Sequence, residues 1–91
     1  MKITMNEVFL IGKVIKKGEF KFIYGNQSTH KSKVPLEIET IQGEKIKCEG
    51  YDKIADQILR KKLNWVIIHG KLKTSGIVQI KEIKMWTTSE Q

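Results

Sequence analysis

Apolar side chains recur at every second position through most of this chain, the period of β-strands. Residues 5–16 place Val8, Leu10, Gly12 and Val14 on one face and Phe9, Ile11, Lys13 and Ile15 on the other. Lys17-Gly18 breaks that run, and residues 19–24 then alternate Glu19, Lys21 and Ile23 against Phe20, Phe22 and Tyr24. A polar loop rich in Asn, Gln, Ser, Thr and Lys follows from Gly25 to Lys33. Residues 34–41 set Val34, Leu36 and Ile38 opposite Glu37 and Glu39, with Pro35 near the start. Proline cannot donate to a ladder, so Pro35 reads as an edge position or a strand beginning. Gln42-Gly43 supplies a turn, and residues 44–50 put Ile46 and Cys48 inward and Lys45, Lys47 and Glu49 outward.

The period changes after residue 51. Ile54, Ala55, Ile58, Leu59 and Leu63 recur at helical spacing, with Asp52 placed to cap the N-terminus and Arg60, Lys61 and Lys62 in the last turn, where positive charge complements the macrodipole. Asn64 reads as a left-handed stop. Residues 65–73 return to strand alternation, with Val66, Ile68, Gly70 and Leu72 on one face; Thr74-Ser75-Gly76 turns the chain into a last strand, 77–86. Three strands, one helix and two strands in an antiparallel sheet this short predict a small closed Greek-key barrel. That is a five-stranded OB-fold, with the helix between strands three and four. The barrel is expected over residues 1–86, with 87–91 as a short polar tail.

Composition adds little to the fold and more to the function. The chain has 91 residues, enough for one core. No apolar run approaches the roughly 20 residues of a membrane span, and the N-terminal residues lack the pattern of a secretory signal. The single cysteine, Cys48, cannot build an intrachain disulfide framework or a Cys-rich zinc site, so a reduced, cytoplasmic protein is expected. Seventeen basic residues against ten acidic ones give a net charge of +7. A field of that sign concentrates polyanions, although the same lysines can serve only to solubilise the surface. Every basic residue but Arg60 is a lysine. Lysine acts as a point charge on phosphates, whereas arginine is the usual bidentate reader of base edges, so the composition favours backbone binding over sequence reading.

Three ordered segments resemble the bacterial single-stranded DNA-binding protein family. Asn6-Glu7-Val8-Phe9-Leu10-Ile11-Gly12-Lys13-Val14 looks like its first strand, an Asn followed by alternating apolar positions and a Gly. Ile46-Lys47-Cys48-Glu49-Gly50-Tyr51-Asp52-Lys53-Ile54-Ala55 is similar to its passage from third strand into helix, and Asn64-Trp65-Val66-Ile67-Ile68-His69-Gly70-Lys71-Leu72 to its fourth strand. The likeness covers residues 5–85. Both hairpins, Ile41-Gln42-Gly43-Glu44 and Thr74-Ser75-Gly76, are shorter than the family's, and its acidic C-terminal tip does not appear in this sequence. Small primosomal OB proteins are shortened in a similar way. The resemblance therefore implies a compact plasmid, phage, primosomal or uncharacterised relative that binds single-stranded nucleic acid, DNA before RNA, in replication.

Single strands are held by lysines on phosphates and aromatic rings under bases. Lys16, Lys17, Phe20, Lys21, Phe22 and Tyr24 interleave both kinds, and the three rings, two residues apart, project to one side. They either carry bases or seal one end of the core. Lys45 and Lys47, Lys71 and Lys73, and the loop residues His30, Lys31 and Lys33 are further candidates. Tyr51, Trp65 and Trp86 sit at element boundaries, where aromatics commonly close a core. Phe9 and Ile11 leave the outer face of the first strand apolar, the mark of an interface unless the helix or termini cover it. The resemblance implies a homodimer or tetramer in which two first strands pair about a two-fold axis, with Asn6, Phe9 and Ile11 between them.

No enzyme is expected. His30, His69 and Cys48 fall on separate elements without metal spacing, and no acidic residue adjoins Ser28 and His30 in their loop. No phosphate-cradling glycine loop is present, and no cofactor or metal is called for. The competing function is a protein-interaction adaptor in a replication or primosome-type complex, with the basic charge incidental.

Overall fold

The computed structural model describes residues 6–24 and 29–86. The longest alternation becomes β1 (Val8–Lys17), which bends through the barrel and serves two neighbours. Its first half pairs antiparallel with β5 (Trp65–Leu72), from Val8 opposite Gly70 to Lys13 opposite Trp65. Its second half pairs antiparallel with β3 (Ser32–Thr40), from Gly12 opposite Thr40 to Lys17 opposite Leu36. Gly12 has a partner on each side, Val66 and Thr40, and marks the corner. A Cβ there would lie 2.8 Å from the carbonyl oxygen of Glu39, so the two backbones approach this closely only around a glycine. A register irregularity between Val14 and Lys16 adds to the bend.

β3 continues into β4 (Lys45–Tyr51) through the tight turn at Gly43, and β5 into β6 (Val78–Met85) through the turn at Gly76; both pairs are antiparallel. Circling the barrel, the strands run β1, β5, β6, β4, β3 and back to β1. The expected all-antiparallel sheet is corrected at one seam. β4 and β6 meet in parallel, Cys48 opposite Val78 and Glu49 opposite Gln79. The crossover helix explains it: α1 (Lys53–Arg60) carries the chain from β4 to β5, and the hairpin then returns β6 in the direction of β4. The two-residue β2 (Lys21–Phe22) adds to β3 beyond the point where β1 has left it. Counted without β2, the helix lies between the third and fourth strands, as the sequence predicts.

Alternation fills the interior. Val34, Leu36 and Ile38 of β3, Cys48 of β4, Val66 and Ile68 of β5, and Val78, Ile80 and Ile83 of β6 are buried, with Ala55 and Ile58 of α1 closing one end. A fully buried aliphatic side chain of this kind contributes about 1.5–3 kcal/mol. α1 lies tight on β4 because Gly50 has no Cβ; one would stand 2.6 Å from Ile54 and 2.7 Å from Ile58.

Four local readings change. The helix ends at Arg60, where Lys61 turns extended, so Lys61 and Lys62 lie beyond it. Asn64 is not left-handed; its carbonyl instead accepts the Val14 amide at 2.8 Å, stitching the segment to β1. Asp52 precedes the helix at φ 53°, and its carboxylate caps none of the helix amides. Pro35 stands inside β3. It is tolerated because the edge it presents faces the gap between β1 and β2, where its carbonyl accepts the Gly18 amide and no ladder amide is required of it.

Candidate nucleic-acid interface

The pleat of β3 and β4 turns Lys33, Pro35, Glu37 and Glu39 outward beside Tyr51, Glu49, Lys47 and Lys45, each opposite its partner in that order. The bend around Lys16 and Gly18 borders this face on one side and Ile77, from the β5–β6 hairpin, on the other. Between them lies a cleft of about 260 Å³ lined by Pro35, Leu36, Glu37, Lys47, Cys48 and Glu49 as well as the bordering residues.

Glu49 is not the solvated outward residue expected. Its side chain is only 11% exposed, covered by its own partners. The Tyr51 hydroxyl donates to Oε1 at 2.8 Å, Lys73 Nζ reaches the same oxygen at 3.1 Å, and Lys33 Nζ lies 3.5 Å from Oε2. Burial works to raise this carboxyl, but the bonds from Tyr51 and Lys73 and the charge of Lys33 outweigh it and hold the pKa below the ordinary value. Lys73 also donates to the Tyr51 hydroxyl at 3.1 Å, and these bonds raise its pKa. Lys33 and Lys73 are therefore drawn onto a carboxylate on the face where the sequence places phosphate contacts.

Asp52 does for the loop what it does not do for the helix. Oδ1 accepts the amides of Lys31 and Ser32 at 2.8 and 3.3 Å, and Oδ2 pairs with His30 Nδ1 at 2.8 Å. The bond from His30 first, and the amides after it, hold the Asp52 carboxyl below its usual range. His30 stacks on Tyr51 with ring centroids 4.5 Å apart. Sequence reading saw no acid near His30 because Asp52 is 22 positions away and arrives through the β3–β4 hairpin; Ser28 lies outside the described residues. The signal available was the Tyr51-Asp52 pair at the strand end, read there as core seal and helix cap.

Phe20, Phe22 and Tyr24 form a row: Phe20 and Phe22 meet edge to face at 5.1 Å, and Phe22 and Tyr24 lie 6.5 Å apart. Phe20 is half-buried against the core, whereas Phe22 and Tyr24 are 64% and 88% exposed. Lys16, Lys21, Lys31, Lys45, Lys47 and Lys71 all have exposed side chains. Lys17 lies elsewhere. Its ammonium donates to the carbonyl of Ile58 at 2.9 Å and lies 3.5 Å from that of Lys61, closing the C-terminus of α1.

On another side of the barrel, Phe9, Ile11, Trp65 and Ile67 are exposed on the outer faces of β1 and β5, Phe9 at 70%. Ile11 and Trp65 join Ile41 and Trp86 in a groove of about 310 Å³. Phe9 stacks on His69, which pairs with Glu7; Lys81 stands 3.5 Å from the same carboxylate. Asn6, expected between two subunits, is used within one: its amide donates to the Leu72 carbonyl at 2.8 Å and accepts the Leu72 amide at 2.9 Å. Cys48 is 1% exposed, and burial pushes its thiol up to about 12, which leaves no thiolate for nucleophilic work. Among the described residues, no helix is long and apolar enough to cross a membrane.

No protein-family model and no curated protein matches this sequence. Solved structures match its fold. Two structures of the protein PriB from Ralstonia solanacearum superpose with a TM-score of 0.72 each, at 11% and 12% identity, over 90% and 91% of this chain and 98% and 100% of theirs. The SSB domain of a Synechococcus sp. protein superposes with a TM-score of 0.65 at 16% identity, over 91% of this chain and 98% of that one. At such identities the likeness speaks for the fold alone: this chain has the OB fold, shared with PriB and with an SSB domain.

Proposed function

We propose that the chain binds single-stranded nucleic acid, DNA before RNA, along the outer face of β3 and β4, as a compact single-domain protein of replication or primosome assembly. One observation carries this reading. Phe22 and Tyr24 stand in solvent, Phe22 in edge-to-face contact with Phe20, which packs on the core, and Tyr24 in turn against Phe22, so the row is tied to the barrel through Phe20. Lys21 alternates with the rings along the chain and is exposed, as are Lys45 and Lys47 on β4. Bases stack on the rings while phosphates run past the lysines, an arrangement indifferent to most of the sequence. The fold shared with PriB and an SSB domain supports the reading.

The test is fluorescence anisotropy of a labelled oligo-dT titrated at two salt concentrations. A label on the strand is preferable to intrinsic tryptophan, because Trp65 and Trp86 line the separate groove with Ile11 and Ile41. Micromolar or tighter binding at low salt is expected, with log affinity falling by about 0.7 per phosphate engaged for each tenfold rise in salt. Absence of binding at low salt refutes the proposal; competition with a matched RNA oligomer decides the sugar.

The apolar outer face of β1 supports self-association as part of the same reading. Ladder pairing to β3 begins only at Gly12, so Val8–Ile11 keep one strand edge unpaired among the described residues, next to exposed Phe9 and Ile11. A second copy adding there would cover both edge and patch. Sedimentation velocity of the wild type and Ile11→Glu checks it: a dimer that Ile11→Glu dissociates supports the interface, and a wild-type monomer at high micromolar concentration removes it.

A further inference from the structure

The cleft on the β3–β4 face holds an acid that a simple phosphate track does not need. Glu37 lines it with Lys47 opposite across the ladder and Lys16 beside it on β1, yet Glu37 makes no ion pair within 4 Å among the described residues. A free carboxylate on a surface for polyanions repels every phosphate that passes. Its presence fits a different partner, one that donates hydrogen bonds. The cleft walls supply the rest. Pro35, Leu36 and Ile77 are apolar, and Lys16 and Lys47 both carry positive charge at the cleft. The volume, about 260 Å³, falls just below the roughly 300–1,000 Å³ of pockets that take drug-sized molecules, and exceeds by several-fold the ~30 Å³ share of one water. A heterocycle of one ring or two is of a size that such a cleft can take.

We infer that this cleft is a base-selective subsite that admits one nucleobase of the bound strand, with Glu37 accepting a hydrogen bond from an exocyclic amino group while Lys16 and Lys47 hold the flanking phosphates. The inference rests on the single-strand reading above and sharpens it: the strand is held without regard to sequence except at this position. A carboxylate acceptor pairs with the amino group of cytosine, whereas thymine offers a carbonyl oxygen at the same place, which the charge repels. Glu49, at the end of the cleft, is occupied by Tyr51, Lys33 and Lys73. It keeps those groups in place, and Glu37 is left as the acceptor that reads.

The test compares labelled dC and dT oligomers of equal length, at pH 8 to keep cytosine unprotonated, against the wild type, Glu37→Gln and Glu37→Ala. The wild type is expected to bind dC about fivefold or more tightly than dT, the lower end of what one good base contact contributes. Glu37→Ala removes repulsion and recognition together, so dT binding strengthens while the dC:dT ratio falls toward one; Glu37→Gln, whose amide can donate or accept, lowers the ratio by raising dT. Equal wild-type affinity for the two oligomers overturns the inference and leaves strand binding intact. Equal strengthening of both oligomers in Glu37→Ala, with the ratio unchanged, also overturns it, since that is the signature of charge alone. Binding to neither oligomer would refute the single-strand reading itself.

Discussion

Replacing Phe22 with alanine separates a binding platform from a core seal. The ring is 64% exposed, and its visible intramolecular contacts are the edge-to-face pair with Phe20 and the tilted contact with Tyr24. An aromatic pair is worth about 0.5–1.5 kcal/mol beyond burial, and exposure keeps this one near the lower end, so the melting temperature of a domain this size should fall by roughly 4 °C or less. Base stacking removed by an alanine substitution costs about 1–3 kcal/mol per base, which is roughly 5–150-fold in affinity for oligo-dT. The salt slope should not move, because no phosphate contact is lost. Phe20→Ala is the counterpart. Its ring is half-buried against the core, so stability should drop by on the order of 2 kcal/mol. Anisotropy titrations and thermal melts on both variants give the comparison. Wild-type affinity in Phe22→Ala, or a loss explained by unfolding, would refute the platform.

Lys17→Met should leave the salt slope of binding unchanged and cost about 0.5–1 kcal/mol of stability in urea melts, because this ammonium serves the carbonyl of Ile58 at the end of α1; Lys45→Gln should do the reverse, reducing the slope by about 0.7 with little change in stability. Gly12→Ala forces a methyl to 2.8 Å from the Glu39 carbonyl at the barrel corner, and chemical denaturation should show a loss of about 1–3 kcal/mol. Asp52 contributes stability above the usual carboxylate range, since its folded pKa is depressed by His30 and the Lys31 and Ser32 amides; that contribution disappears as pH falls through the folded value. The melting temperatures of wild type and Asp52→Asn should accordingly differ at pH 7 and converge as the pH drops below about 4, and a constant difference at all pH values would argue against the carboxylate's charge as the cause.

Strand alternation was legible because each strand has one face in the core, which ties side-chain period to burial. Val34, Leu36 and Ile38 are buried and their neighbours are not, with β1 following the same rule. The parallel seam was not legible. It depends on where the crossover helix sets the chain down, which no period in β4 or β6 encodes. Local rules misled at Asp52 and Asn64, two residues whose usual cap and stop roles were displaced by longer-range bonds, to the start of β3 and to β1. At the candidate site the spacing of Phe20, Phe22 and Tyr24 showed that the rings project to one side, but only the fold shows that Phe20 packs on the core while Phe22 and Tyr24 stand in solvent. The charge pairing was not legible, because Glu49 meets Lys33 16 positions away and Lys73 24 positions away. Alternation says which way Glu49 points, and only the fold says what covers it.

That pairing bounds the electrostatics of the proposed interface. Counted from the sequence, Lys16, Lys17, Lys21, Lys31, Lys33, Lys45, Lys47, Lys71 and Lys73 would each meet a phosphate, and the salt slope for a single strand would reach about −6. Lys17 belongs to the helix terminus, and Lys33 and Lys73 face a carboxylate from which Tyr51 and burial make them hard to detach. Releasing both would leave Glu49 with only the Tyr51 hydroxyl in a site only 11% exposed, and a carboxylate stripped of its cations there costs more than surface phosphate contacts return. Six lysines remain, which limits the slope to about −4. A titration series in potassium chloride distinguishes the two values. A slope near −6 would mean that the Glu49 cluster opens on binding, and one no steeper than about −4 that it stays closed and acts as the fixed floor against which the strand is held.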